Sequence, residues 1–248
     1  MRAFLQCRDS TQGLEPCNHN IFNAYCGLRD MGFECVRFSS LQDLEDYYHH
    51  KDELIVGGVG MIRKRLKVFN IEPPMVDYPT ELSEYLDRVI LKDKLSNIVN
   101  NPDTWPVFIK SVDQKVLTGK VISSTKDLVG LGFQDNDIDI YRSGVVDFKS
   151  EYRVFVRYGQ ILDIKHYYGD PLIFPDPRVI QKAIEDYTSA PDAYGIDFGV
   201  TKDGRTLLIE VNDAWALGCY GLESHLYAKF LLTRWAQLTD TPDQFFYI

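Results

Sequence analysis

The run Leu207-Leu208-Ile209-Glu210-Val211-Asn212 sets two oxygen-bearing side chains two residues apart in an apolar stretch. On a β-strand successive side chains alternate faces, so Glu210 and Asn212 are expected on one side while Ile209 and Val211 point into a core. A third oxygen donor, Asp197, lies upstream in a second apolar run, Gly195-Ile196-Asp197-Phe198-Gly199-Val200. The two runs are joined by Thr201-Lys202-Asp203-Gly204-Arg205, whose Asp-Gly pair is the strongest hairpin signal in the chain. Closing that hairpin brings Asp197, Glu210 and Asn212 together. A hard cation such as Mg²⁺ binds through a few carboxylates plus substrate phosphates, and this triad is the sparse oxygen platform it needs.

Phosphate chemistry on such a platform also needs cations. Lys110 ends the apolar run Val107-Phe108-Ile109, and is either a charge at a strand edge or an inward phosphate ligand. Lys94 falls within Glu81 to Val99, which reads as one or two helices. Arg153 and Lys165 lie on two consecutive predicted strands, each among apolar neighbours. A cation flanked by Tyr152, Val154 and Phe155 is costly unless it is paired or faces a polar cleft.

The elements that must carry these residues divide the chain. In the first third, strands at Arg2 to Gln6, Glu34 to Phe38 and Leu54 to Val56 alternate with a helix from Ile21 to Met31, which makes a small α/β unit. Gly57-Gly58-Val59-Gly60 reads as a tight strand-to-helix turn that exploits positive φ more than as a phosphate cradle, and Arg63-Lys64-Arg65 as the solvated face of a short helix more than as a substrate-anion contact. Prolines at Glu72-Pro73-Pro74 and Asp77-Tyr78-Pro79 mark a crossover. Beyond them strands dominate: Val107 to Ser111, Lys115 to Ser123, Ile138 to Tyr141, Glu151 to Arg157, Ile161 to Tyr167, Ile196 to Val200 and Leu207 to Asn212. Helices are expected at Pro177 to Tyr187 and Leu222 to Gln237.

Composition excludes several classes. The 248 residues carry 36 acidic against 27 Lys and Arg side chains, a net charge of -9, which argues against general affinity for nucleic acid or an anionic membrane. The first residues turn polar too early for a secretory signal and no apolar run approaches bilayer length, so a cytoplasmic protein is expected. Cys7, Cys17, Cys26, Cys35 and Cys219 form no Cys-x-x-Cys pair and read as reduced, mostly buried thiols. His166 points away from Lys165 and reads as structural, while His19, His49, His50 and His225 form no ligand spacing with the cysteines. Gly-x-Ser-x-Gly and His-Glu-x-x-His are missing, which removes the common hydrolase and zinc-protease readings.

Asp93-Lys94, Val107-Phe108-Ile109-Lys110, Glu151-Tyr152-Arg153-Val154-Phe155-Val156, Ile161 to Lys165, Asp197 and Glu210-Val211-Asn212 occur in the order found in the ATP-grasp superfamily of carboxylate-amine ligases. The chain resembles that family over roughly residues 85 to 235. It looks most like the compact bacterial and phage proteins near the ribosomal-protein glutamate ligases and glutathione synthetases. The resemblance implies an α+β ATP-grasp fold, two lobes gripping ATP, with the smaller lobe at about 85–142 and the larger at about 143–248. A small α/β Rossmann-like pre-ATP-grasp domain would occupy residues 1–84.

The resemblance also implies roles. Lys94 and Lys110 would hold nucleotide phosphates, with Val145 and Val146 presenting backbone groups to adenine between walls formed by Tyr141 and Phe148. Glu151 would lie near adenine and ribose. Arg153 and Lys165 would face the γ-phosphate and the acyl-phosphate, and Asp197, Glu210 and Asn212 would ligate Mg²⁺. Implied partners are small-molecule or peptide carboxylates and amines, joined as an amide with release of ADP and phosphate. A small-molecule kinase and a nucleotide-binding regulatory or scaffold module are the competing readings. The chain departs from many relatives in a flap poor in glycine, Ser111 to Thr118; Lys115 and Lys120 read as solvent-facing hairpin lysines, with compensation of the flap by charge as the alternative. It departs again in the loop Asp213 to Gly221, where Trp215 and Tyr220 read equally as lining for an acceptor pocket or as plain packing beside a helix.

Overall fold

A computed structural model of the chain describes residues 1–7, 18–113, 117–131 and 137–247. The first part is a three-stranded parallel sheet, ordered β2-β1-β3, from β1 (Arg2–Gln6), β2 (Glu34–Phe38) and β3 (Leu54–Val56). Helices α1 (His19–Asp30), α2 (Leu41–Asp46) and α3 (Val59–Val68) connect and flank it. The sequence marks their starts well. Asn18 caps α1 by accepting the Ile21 N–H at 3.1 Å, and Ser40 with Asp43 forms a capping box on α2.

The turn from β3 into α3 forms as expected but for a different reason. Neither Gly57 nor Gly58 has a positive φ. A Cβ on Gly57 would come 2.7 Å from the Gln6 Oε1, and Gly58 donates its N–H to that same oxygen at 2.7 Å. Close approach of the Gln6 side chain, not backbone handedness, favours glycine at position 57. Arg65 departs from the solvated face assigned to it: it is buried and donates to the His49 ring, the His49 carbonyl and Glu45.

Two antiparallel sheets follow. The smaller runs β4-β7-β5-β6, from β4 (Leu91–Lys94), β5 (Val107–Ser111), β6 (Lys120–Ile122) and β7 (Asp139–Ser143). Glu81 to Val99 is therefore not mainly helical: a 3₁₀ turn at Thr80–Tyr85 leads to β4, and only Leu95–Val99 forms an α-helix, α4. Of the strand expected over Lys115 to Ser123, Lys120–Ile122 is a strand, and Lys115 lies outside the described residues. The larger sheet, β11-β10-β8-β9, contains β8 (Phe148–Arg157), β9 (Gln160–Gly169), β10 (Ala193–Thr201) and β11 (Thr206–Asp213).

Both faces of the larger sheet contribute to a core. Tyr152, Val154, Val156, Tyr194, Ile196, Phe198, Leu208 and Val211 pack under α5 (Pro177–Asp186) and the crossover residues Val76, Leu82 and Leu86. On the opposite face Phe155 and Ala193 join a core with the first sheet and with α6 (Ser224–Thr239). Helices α1 and α6 pack so tightly that a Cβ on Gly27 would overlap the Ser224 carbonyl oxygen. This core draws on Phe4, Leu28 and Ile55, from before residue 84, as well as on Phe230 and Trp235. Of the described cysteines, Cys7 and Cys219 are buried and Cys26 and Cys35 half-buried, and Cys26, Cys35 and Cys219 are free thiols. Among the described residues no helix is long and apolar enough to cross a membrane.

Candidate active site

The register of the larger sheet aligns four charged residues in one row. Lys165 opposes Arg153, Arg153 opposes Asp197, and Asp197 opposes Glu210. Directly opposed residues share a face, with Cβ atoms roughly 5 Å apart, so pairing alone brings the row together. Asn212 follows Glu210 by one pleat. Its Nδ2 donates to Glu210 Oε1 at 3.1 Å and to Asp197 Oδ2 at 3.3 Å. The hairpin thus converges Asp197, Glu210 and Asn212 as the alternation of β10 and β11 demands.

Ile209 does not enter the core. A bulge between Asp197 and Phe198 pairs Glu210 and Leu208 with successive residues of β10, and Ile209 is the unpaired extra residue. It lines the cleft instead, while Val211 is fully buried as expected.

The charges are deeply engaged. Arg153 grips Asp197 through Nε to Oδ1 at 2.8 Å and Nη2 to Oδ2 at 2.6 Å, a fork-on-fork pair in which both partners are under a tenth exposed. Burial pushes the Asp197 carboxyl up to about 6 against the opposing pull of Arg153. Burial also works against the charge on Arg153, but Asp197 outweighs it and holds the guanidinium charged. From the smaller sheet, Lys110 reaches across to Glu210 Oε2 at 2.6 Å and to Asp77 Oδ2 at 3.2 Å. These two carboxylates overcome the desolvation of Lys110 and raise its pKa. An ammonium has three N–H groups, so two contacts leave one for a further ligand. Lys110 therefore points inward, into the cleft, and is not a charge at a strand edge.

A cavity of about 500 Å³ opens between the two sheets, within the roughly 300–1,000 Å³ range of small-molecule sites. Lys110, Glu210, Asn212 and Glu151 line it together with Val145, Val146 and Phe148. Gly199 makes the Phe148 wall possible, because a Cβ there would run into that ring. Burial raises the Glu151 carboxyl, opposed by a hydrogen bond with Tyr167 and reinforced by repulsion from Glu210.

Several expected members lie elsewhere. Lys94 sits at the end of β4, half-exposed and 2.8 Å from Asp139, and does not line the cleft. Being on a strand and not a helix, it is committed by the β4–β7 register to the Asp139 position. Tyr141 lines a neighbouring cavity of about 1000 Å³, its ring 5.0 Å from Tyr78. Lys165 shares the face of Arg153 but is ion-paired to Asp163 at 2.7 Å. Lys120 donates to the Asp127 carbonyl at 2.5 Å and so turns toward the 3₁₀ turn Thr125–Leu128 that follows β6. His166 faces away from the row, edge-on to Tyr152, in the structural place expected of it.

Other residues enter that sequence reasoning did not single out for the site. Asp77, in the proline-rich crossover, is buried against Lys110, and its carbonyl accepts the Val211 N–H at 2.9 Å. Arg88 lines the cleft and donates to the carbonyls of Leu86, Leu208 and Ile209 at 2.9 to 3.0 Å. Tyr167 lines the cleft beside Glu151. The period-2 pattern of β9 already put Tyr167 on the face of Lys165, a signal that was available.

Among the described residues no group of three or more His, Cys, Asp or Glu side chains is arranged to hold a metal ion. Asp197, Glu210 and Asn212 form two carboxylates and an amide, all hard oxygen donors once the amide presents Oδ1. The amide of Asn212 already bridges both carboxylates, so the point where a cation would meet them is defined. This donor set suits Mg²⁺ with its remaining positions left to water and phosphate, and does not suit a softer metal.

Comparisons agree with this geometry. No curated protein sequence matches the chain. Among solved structures, the chain is similar to the D-alanine–D-alanine ligase of Bacillus anthracis in complex with ATP. The two share 14% identity over 97% of this chain and 98% of that one, with a TM-score of 0.55. It is also similar to an L-amino acid ligase from Bacillus licheniformis at 13% identity, covering 96% of this chain and 75% of that one, TM-score 0.55. At that identity the likeness is one of fold, an α+β architecture whose paired antiparallel sheets enclose a cleft. The sequence profile of the ATP-grasp domain, R2K clade family 2, matches residues 85–230, which hold every strand of both antiparallel sheets and more than half of the chain. With both sheets, the cleft between them and the charged row inside that match, the chain belongs to the R2K clade of ATP-grasp proteins.

Proposed function

We propose that the protein is an ATP- and Mg²⁺-dependent carboxylate–amine ligase that forms an amide through an acyl-phosphate. The observation that carries this reading is the convergence of Lys110, from one sheet, on Glu210, from the other, at the edge of a nucleotide-sized cleft. In this reading residues 1–84 are the pre-ATP-grasp unit and residues 85–248 the catalytic part. The ligases to which the fold is similar support the ligation class.

Asp197, Glu210 and Asn212 would hold Mg²⁺, which supplies charge neutralisation on the phosphates when bound. Val145, Val146 and Phe148 enclose the adenine end of the cleft, and Glu151 faces the sugar. Lys110 gives its third N–H to the phosphate chain. A substrate carboxylate oxygen attacks the γ-phosphorus, the bond to the ADP oxygen breaks, and a mixed anhydride forms. The amine lone pair then attacks the acyl carbon, the C–O bond to phosphate breaks, and the nitrogen loses a proton. Arg153 and Lys165 oppose the negative charge that develops in both steps.

A cavity of about 250 Å³ is a candidate for the acceptor side. It is lined by Trp215, Arg63, Asp77, Asp113 and Asp213, and the Arg63 guanidinium lies 5.9 Å from the Trp215 ring. The test is ADP release from Mg·ATP across a panel of acids and amines, with hydroxylamine added as a trap. A ligase yields a hydroxamate, a small-molecule kinase yields ADP without one, and a regulatory module binds ATP without turnover. Glu210→Gln is expected to abolish ADP formation; near-normal turnover in that variant refutes the assignment.

A further inference from the structure

Arg153 is enclosed on more than its Asp197 side. Its Cζ lies 4.4 Å from the centroid of the Tyr220 ring and 5.8 Å from that of Tyr167. The two rings meet edge to face at 5.6 Å. Tyr220 comes from the loop after β11, where it sits at φ +47 and is followed by Gly221 at φ +81. The Leu222 N–H donates to the Cys219 carbonyl at 2.7 Å. A four-residue turn with both central residues left-handed suits Gly and Asn, and a bulky aromatic at its first central position is an outlier.

That turn is held from outside its own loop. The Cys219 N–H donates to Asn20 Oδ1 at 3.0 Å, and Asn23 Nδ2 donates to the Leu222 carbonyl at 2.9 Å, both from α1. Tyr220 is 47% exposed whereas Arg153 beneath it is 5% exposed. A ring placed for core packing would be buried; this one forms the outer cover of a cation. Nε and Nη2 of Arg153 bond to Asp197, and among the described residues Nη1 makes no hydrogen bond.

We propose that Tyr220 is a positioning residue for Arg153, its ring face fixing the guanidinium in the plane of the Asp197 fork so that Nη1 is presented to the substrate anion. The assignment of that anion as a γ-phosphoryl or acyl-phosphate group rests on the ligase reading; the positioning does not. Cation–π contact fixes the plane of a guanidinium without using its N–H groups, which suits a cation that must also serve a substrate.

The test uses Tyr220→Asn, which tolerates the left-handed backbone and removes the ring, with Tyr220→Phe as the conservative rescue. Tyr220→Asn is expected to lower kcat for ADP release by about tenfold with KM for ATP within about twofold of wild type, and Tyr220→Phe to stay within about twofold in both. Hydrogen exchange of the Arg153 Nε–H, followed by NMR and assigned by its loss in Arg153→Lys, is expected to accelerate about tenfold in Tyr220→Asn and to be unchanged in Tyr220→Phe. Wild-type kcat and exchange in Tyr220→Asn would overturn the proposal. So would equal losses in both variants, or a rise in KM alone, which would make Tyr220 a wall of a substrate pocket. Should wild-type protein release no ADP with any acid and amine, the ligase reading fails, and the exchange measurement still decides the positioning role.

Discussion

Replacing Arg153 with Met tests the electrostatics of the site without reference to its reaction. The change removes the fork that holds Asp197, a carboxylate only 2% exposed. Removing one partner of a buried ion pair typically costs about 3–5 kcal/mol, because the other charge is left without compensation. For a chain of this length each kcal/mol lowers Tm by about 2–4 °C, so a fall of about 6–20 °C is expected. The loss should depend on pH in a defined direction. Asp197 is already raised from 3.8 to about 6 in the folded protein, so its contribution to stability is present below the unfolded value and is lost as pH rises through about 6. Without Arg153, which pulls that value down, the folded pKa climbs further and the window of loss extends upward. The gap between wild type and Arg153→Met should therefore be small near pH 5 and full near pH 8. Thermal and urea unfolding followed by circular dichroism at both pH values measures it, and Arg153→Met/Asp197→Asn should recover much of the loss. A deficit equal at both pH values, or a double variant no more stable than Arg153→Met, would refute the reasoning.

Further outcomes follow from the other contacts. Lys110→Met should lower ADP release by about 100-fold, since it removes a cation aimed at the phosphates; initial rates at saturating ATP check this. Lys94→Ala should leave those rates near wild type and shift stability by less than about 1 kcal/mol, because its pairing with Asp139 is half-exposed. Gly199→Ala should displace the Phe148 wall, weaken ATP binding in calorimetric titration and cost about 1–3 kcal/mol in unfolding experiments. Arg88→Met strands the carbonyls of Leu86, Leu208 and Ile209 and should destabilise the fold by about 1–3 kcal/mol for each one left buried, read from urea midpoints.

The parts of the site that were legible in sequence are those governed by short-range periodicity. Alternation on β10 and β11 and the Asp-Gly hairpin put Asp197, Glu210 and Asn212 on one face, and the register carried out what the alternation required. Arg153 was legible as a strand cation in need of a partner, and the β8–β10 register supplies Asp197. Lys110 was ambiguous in sequence because the direction of a strand-end lysine depends on what lies opposite, and Asp77 and Glu210 are 33 and 100 residues away from it. Asp77 and Arg88 were silent for a related reason: they come from irregular chain beside the prolines, where no period assigns a face. Ile209 was misassigned because one inserted residue reverses the inside–outside rule locally. Lys94 followed a motif whose residue is present, but the β4–β7 pairing commits its ammonium to Asp139. Tyr220 stood in sequence between pocket wall and plain packing, since an aromatic in a loop looks alike whether it packs or covers a charge.

The absence of a side chain at Gly27 reaches further than the helix contact it permits. It lets the opening helix lie against the closing one, and that same opening helix supplies Asn20 and Asn23 to the turn that lays Tyr220 over Arg153. Helices α1 and α6 are therefore mechanically in series with the central cation. A graft that kept only the antiparallel sheets would carry Arg153 and Asp197 intact and still lose the scaffold of their cover, and a bulkier residue at position 27 would tilt that cover from a distance.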